Sequence, residues 1–417
     1  MTHIGRCIVA FVFLLAVCGG SESDEGLAGF DRLPIVESAA AAEAAKEADG
    51  ASAPADGPLQ VTPVTLRIVA VPVPVKGSDD RYHVVYEIEL VNFTNARVGV
   101  NRLEVLDAGS GSAVAALDAR ALGQRLAVND AAAQPASLGP AQFGLVYMHL
   151  AFGRKADVPR RLEHRLAVTI GAAALAYTAG HTKVRPPTDL VLDAPLRGTR
   201  YVAADGCCDA PRHVRATLPL NGRLFNAQRF AIDWEQLDEQ RRIIVGDPKK
   251  PENYVIYNKP VYAVADARVV AAVDGLPDSP PGGLPPNIPI EQADGNHVVL
   301  DFGDGRFALY AHFAPNSVQV QRGDPVRRGQ LLGRVGTSGN SSEPHLHFHV
   351  MDGPSPLASN GLPHRLQRFS ATHRGVSTAA FDHAAATGQP LAVEPVPGAA
   401  RRDHTLPLDL LIVDLPQ

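Results

Sequence analysis

The chain has 417 residues, which is long for one ordinary domain and sets an expectation of two or three. A formal net charge of -5 gives no electrostatic ground for expecting a nucleic acid partner. Charged residues make up 20%, and 34 prolines and 37 glycines accompany recurrent β-branched runs with little helical periodicity, so a mainly β protein is predicted.

Residues 1–20 have the pattern of an export signal: Arg6 precedes the apolar run CIVAFVFLLAV, which at 11 residues is too short to span a bilayer. LAVC, ending at Cys18, resembles a bacterial lipoprotein signal in which that cysteine is lipidated and tethers the protein to a membrane. Val17 stands where a small residue is preferred, and plain cleavage near Gly20 is the alternative. Either way the protein is expected outside the cytoplasm, periplasmic or lipid-anchored at the cell envelope. Residues 21–60 are rich in Ala, Glu, Asp and Gly, have little to bury, and read as a flexible tether.

From residue 61 alternation begins. VTLRIVAVPVPV, YHVVYEIELVNF, VGVNRLEVLD, QFGLVYMHLAF and HRLAVTI each read as strands, and residues 61–182 are expected to form an antiparallel, Ig-like β-sandwich. In the second of these, Val84, Tyr86, Ile88 and Leu90 share one face, with His83, Glu87 and Glu89 on the outward one. His83, His149 and His164 read as isolated structural or surface residues. After a linker near 179–189, residues 183–417 make a second β-rich region with a Pro-rich insertion at 274–294, long enough to be a cleft wall or lid. The tail LPLDLLIVDL reads as one more strand, returning to one of the two sheets. The adjacent Cys207 and Cys208 are two free thiols, a strained redox pair or soft metal ligands, and free thiols are expected, since a bond between neighbours strains the short ring.

PHLHFHV sets His345, His347 and His349 at every second position. On a strand these share one face, about 6–7 Å apart, while Leu346, Phe348 and Val350 fill the other. A half-buried strand with a histidine-rich polar face would look like this, and so would a metal site, because imidazole is the commonest transition-metal ligand. No H-E-x-x-H, G-x-S-x-G, P-loop or helix-opening G-x-G-x-x-G accompanies it.

The order GNHVVLDFGDGRFALYAHF, then VRRGQLLGRVGTSGNSSEPHLHFHV, resembles the LytM or lysostaphin-type zinc peptidases of family M23. The resemblance covers about residues 183–370 and is carried by the Y-A-H strand, the G-x-x-x-G-x-x-G-x-x-G run and the P-H-L-H-F strand, in that order. It implies a LytM-like antiparallel β domain holding Zn2+. Under it Asp233, in RFAIDW, and His347 are metal ligands, and His345 and His312 are the catalytic pair beside the metal water. His349 supports the site and Arg229 lies at or near it; by strand alternation with His312, Tyr310 either lines the cleft or is a buried aromatic. The resemblance implies an exported endopeptidase cutting peptide bonds of peptidoglycan stems or crossbridges.

One departure stands out. The family pattern has a histidine ligand four residues before the aspartate, where this chain has Arg229, and a guanidinium has no lone pair to give. Three explanations compete. His213, or behind it Cys207 or Cys208, supplies the missing ligand; or two protein ligands and waters hold the metal weakly. In the third, Arg229 fills the space, and the domain survives as a silent module that binds the wall or regulates another wall hydrolase.

Overall fold

The computed structural model describes residues 59–416 except 129–130, 133–134, 210–211 and 397–400. The export signal, Cys18 and nearly all of the tether lie outside the described residues. The architecture is mainly β, built from antiparallel sheets.

We number the principal strands in chain order. The first sheet contains β1 (Val64–Ile68), β2 (Tyr82–Asn92) and β5 (Phe143–Phe152), paired β1-β2-β5. The second contains β3 (Val98–Asp107), β4 (Ala113–Asp118), β6 (Arg161–Ile170) and β7 (Ala173–Lys183), in the order β7-β6-β3-β4. Val84, Tyr86, Ile88 and Leu90 of β2 pack on Val98, Leu103 and Leu166 of the second sheet, so the two sheets enclose one apolar core. The alternation in β2 therefore places its apolar face as expected. Its other face is covered in part: Glu87 is 0% exposed and His83 4%, while Glu89 is half-buried and pairs with the exposed Arg67. Val85, from that face, belongs to the core of the next sheet, together with Trp234 and Phe230. Of the residues read as outward-facing, His83 and Glu87 line a seam.

The third sheet runs β14-β15-β8-β9-β13-β12-β11-β10 through its centre. Its members are β8 (Gly198–Ala204), β9 (Ile232–Gln236), β10 (Ala267–Val273), β11 (Asn296–Asp301), β12 (Phe307–Phe313), β13 (Leu346–Met351), β14 (Arg365–Gly375) and β15 (Leu411–Leu415). The tail strand β15 is thus internal to this sheet, and Leu406 just before it bonds Lys76 and Ser78, tying the chain's end to the first half. A helix (Thr378–Thr387), capped at its N-terminus by the Ser377 side chain and closed by Gly388 at positive φ, covers part of one face. The opposite face carries the main core, where Leu346, Phe348 and Val350 are each 0% exposed.

Two readings need correction. Cys207 and Cys208 are joined as a disulfide rather than free. Tyr310 is 0% exposed and its hydroxyl accepts from the Val264 amide at 2.9 Å, so it serves the core and not a cleft.

Candidate active site

β13 lies between β9 and β12, and the register sets Asp233 opposite His347 and Ala311 opposite His347 on the other side. Because Phe348 faces the core, His347 and His349 face away from it, next to Asp233. His347 Nδ1 is 2.8 Å from Asp233 Oδ1, and His345 Nε2 is 3.5 Å from the same oxygen.

His312 reaches this face through an irregularity. Alternation from the core residue Tyr310 would send it to the core side. Between the pairs Asn296↔Phe313 and Val298↔Tyr310, one residue of β11 opposes two of β12, which is a β-bulge. His312 sits in it at φ 64°, a left-handed conformation that costs a non-glycine residue about 1–3 kcal/mol. The bulge turns its ring onto the histidine face, with centroids 4.8 Å from His345 and 5.9 Å from His347.

His213 arrives from a short 3-10 turn, His213–Arg215, whose Nδ1 bonds the Asp205 carbonyl at 3.0 Å. Its Nε2 stands 3.3 Å from Asp233 Oδ2, and its ring meets that of His347 edge-on at 4.9 Å. One ligating atom from each of His213, Asp233 and His347 lies within 4.8 Å of the others. Arg229 points elsewhere: Nε and Nη2 bind Glu87 of β2 at 2.8 and 2.6 Å, and Nη1 donates to the Gly361 carbonyl at 3.0 Å. Cys207 and Cys208 are not in the Asp233 group.

Tautomers follow from the partners. A carbonyl oxygen only accepts, so Nδ1 of His213, of His345 (on Glu343 O, 2.8 Å) and of His312 (on Ser338 O, 2.7 Å) each carries a proton. Each then offers its Nε2 lone pair to the site. His347 Nε2 pairs with His349 Nδ1 at 2.9 Å, leaving Nδ1 to face Asp233. Burial disfavours charge on His213, yet the Asp233 carboxylate raises it to about 9. Burial, then the charges of His345 and His347, holds His312 well below the usual imidazole range. Asp233 stays well below the usual carboxylate range despite its burial, because His213 and His345 face it. In short, His213 Nε2 and Asp233 Oδ2 are two lone-pair bearers in contact, which demand a proton or a cation between them. Two imidazoles and a carboxylate are a donor set that suits zinc.

Residues 254–359 match the family model described as Peptidase family M23. The chain carries an M23 peptidase domain. The matched stretch of the M23 domain includes His312, His345 and His347, while His213 and Asp233 precede it. The chain is 36% identical over 61 residues to the cell division protein DipM of Caulobacter vibrioides, covering 15% of this chain and 10% of that one. It is 29% identical over 89 residues to the peptidoglycan DD-endopeptidase ShyA of Vibrio cholerae, covering 19% and 20%. It thus spans a tenth and a fifth of these two relatives' lengths. The catalytic domain of lysostaphin from Staphylococcus simulans aligns at 20% identity over 39% of this chain and 88% of that one, with a TM-score of 0.22.

Sequence reading gave no role to two buried carboxylates, Glu235 beside Asp233 and Glu87 at the seam. Glu235 follows Asp233 by two residues on β9 and so shares its face, a signal present in the alternation itself. Burial, then Glu343, Asp233 and Asp205, pushes its carboxyl well above the ordinary value. Glu87, the partner of Arg229, had no local signal at all.

Proposed function

We propose that this chain is an exported zinc endopeptidase that cleaves peptide bonds of peptidoglycan stems or crossbridges, with His213 replacing the ligand absent at Arg229. The observation that carries this reading is the convergence of His213, Asp233 and His347 while Arg229 is bound to Glu87. His213, Asp233 and His347 hold the ion, and His349 fixes the His347 ring through its Nε2. A zinc ion there supplies a Lewis acid for the scissile carbonyl and lowers the pKa of a water toward neutrality.

The remaining work falls to the chain's own groups. His345 and His312 each carry a proton on Nδ1, and their Nε2 atoms accept the proton of the attacking water. Whichever ring takes it becomes the donor to the developing oxyanion or the leaving amine. The Pro-rich insertion 274–294 forms a wall beside them: Ser279 Oγ donates to the Gly339 carbonyl at 2.7 Å, and Asp278 accepts from the Thr337 amide at 2.8 Å. Envelope localisation, with or without a lipid at Cys18, belongs to the same proposal. The name of the relative ShyA, a peptidoglycan DD-endopeptidase, supports a wall-related role.

The test is the zinc content of the oxidised full-length chain, with peptide release from purified peptidoglycan before and after a chelator. One zinc per chain and chelator-sensitive release are expected, both lost in His213→Ala. No zinc and no release, with sacculus binding retained, would establish the silent wall-binding module instead.

A further inference from the structure

A second group of ligating side chains lies at the seam, away from Asp233. His83 of β2 stands opposite Ala151, and His149 of β5 opposite Val85, so the two histidines are diagonal neighbours on one face. Their rings stack at 5.2 Å with 22° between planes, and His83 Nδ1 is 2.9 Å from His149 Nε2. On the far side His83 Nε2 lies 2.9 Å from Asp79 Oδ1. Cys208 approaches from the M23 side, and one ligating atom from each of His83, His149 and Cys208 lies within 4.8 Å of the others. His83 and Cys208 are 4% and 5% exposed, and His149 is half-buried.

The parts have the chemistry of a metal site. Asp79 is an acceptor only, which fixes the proton of His83 on Nε2 and turns the Nδ1 lone pair toward His149 and Cys208. A carboxylate on the far nitrogen is how metal-binding imidazoles are commonly oriented. Two imidazoles with a thiolate form a borderline-soft set suited to zinc, cobalt or copper rather than magnesium or calcium. The sulfur of Cys208 is bonded to that of Cys207, and a disulfide sulfur is no thiolate.

We infer that His83, His149 and Cys208 form a redox-gated site for a divalent transition-metal ion, clamping the sandwich to the M23 domain once the Cys207–Cys208 bond is reduced. The opening step balances with a reductant of the dithiol or phosphine class. A dithiol gives two electrons and two protons, becomes a disulfide, and leaves two cysteine thiols. A phosphine takes an oxygen atom from water to the same end. The metal then binds Cys208 Sγ as that thiol's proton passes to solvent. This site shares no residue with the His213 group, so either can fail without the other.

Cobalt(II) titration of the full chain decides it, because a thiolate ligand gives a sulfur-to-cobalt charge-transfer band that the sulfur-free His213 group cannot produce. The reduced chain is expected to show the band and the oxidised chain to lack it. Cys207→Ala, which leaves Cys208 as a free thiol, should show it without any reductant. Cys208→Ser should abolish it, His83→Gln and His149→Gln should weaken cobalt affinity at least tenfold, and His213→Ala should leave the band intact. Absence of the band in both the reduced chain and Cys207→Ala would overturn the inference. So would its survival in Cys208→Ser, or unchanged affinity in both histidine variants.

Discussion

Arg229 and Glu87 meet across the seam as a bidentate pair, with Nε 2.8 Å from one carboxylate oxygen and Nη2 2.6 Å from the other. Asn226 adds a third bond to Glu87 at 2.9 Å. Arg229, four residues before Asp233, fastens the M23 domain to the sandwich. Arg229 and Glu87 are 4% and 0% exposed, so truncating one partner leaves the other's charge buried and unpaired. Glu87→Ala is expected to lower stability by about 3–5 kcal/mol in denaturant titration, and the double change Glu87→Met with Arg229→Met by clearly less. A loss in Glu87→Ala under about 1 kcal/mol would place the pair in water.

His349 is expected to act through His347 rather than on substrate. Removing the acceptor at Nδ1 in His349→Ala frees the His347 ring to turn, and metal affinity should fall about 10–100-fold. His349→Gln, which restores an acceptor, should recover part of it. Competition with a chromogenic chelator reads both, and equal affinities for wild type and His349→Ala would remove His349 from the site.

Gly339 governs the turn that enters the histidine strand. It holds φ 78°, and a Cβ there would sit 2.3 Å from the Gly295 backbone nitrogen. The adjacent Ser338 carbonyl fixes the His312 tautomer. Gly339→Ala should therefore cost at least about 1–2 kcal/mol from backbone conformation alone. It should also slow peptide release while leaving the zinc content unchanged. Unaltered melting and release would mean that the turn yields freely.

Acid should weaken the sandwich through His164. Its ring is enclosed between the Tyr86 hydroxyl at 2.8 Å and the Gly180 carbonyl at 2.8 Å, and burial pushes it down to about 4. The unfolded chain has an ordinary histidine near 6.5. Between those values the unfolded state binds a proton that the folded state refuses, so stability rises with pH there. The contribution is complete above about pH 6.5 and lost as the pH falls toward 4, up to about 3 kcal/mol. Denaturation midpoints at pH 4.5 and 7 should differ less in His164→Gln than in wild type. An identical difference in the two proteins would reject this origin.

The alternation in PHLHFHV was enough to divide β13 into a core face and a histidine face, because side-chain direction on a strand has a period of two. The same rule found the apolar side of β2 and the strands flanking the site. It failed at His312, where a bulge reverses the expected face, and at Tyr310, which alternation by itself could not assign to core or cleft. The sequence by itself determined the mainly β class, the M23 resemblance and the absence of a ligand at Arg229. Only the tertiary structure decided where Arg229 points and which residue stands beside Asp233. Those outcomes depend on contacts far apart in the chain: Arg229 is 142 residues from Glu87, and His347 is 114 from Asp233. No local periodicity reaches across such distances. A buried guanidinium turns to whichever carboxylate the packing of two sheets presents, and that is a property of the assembled fold.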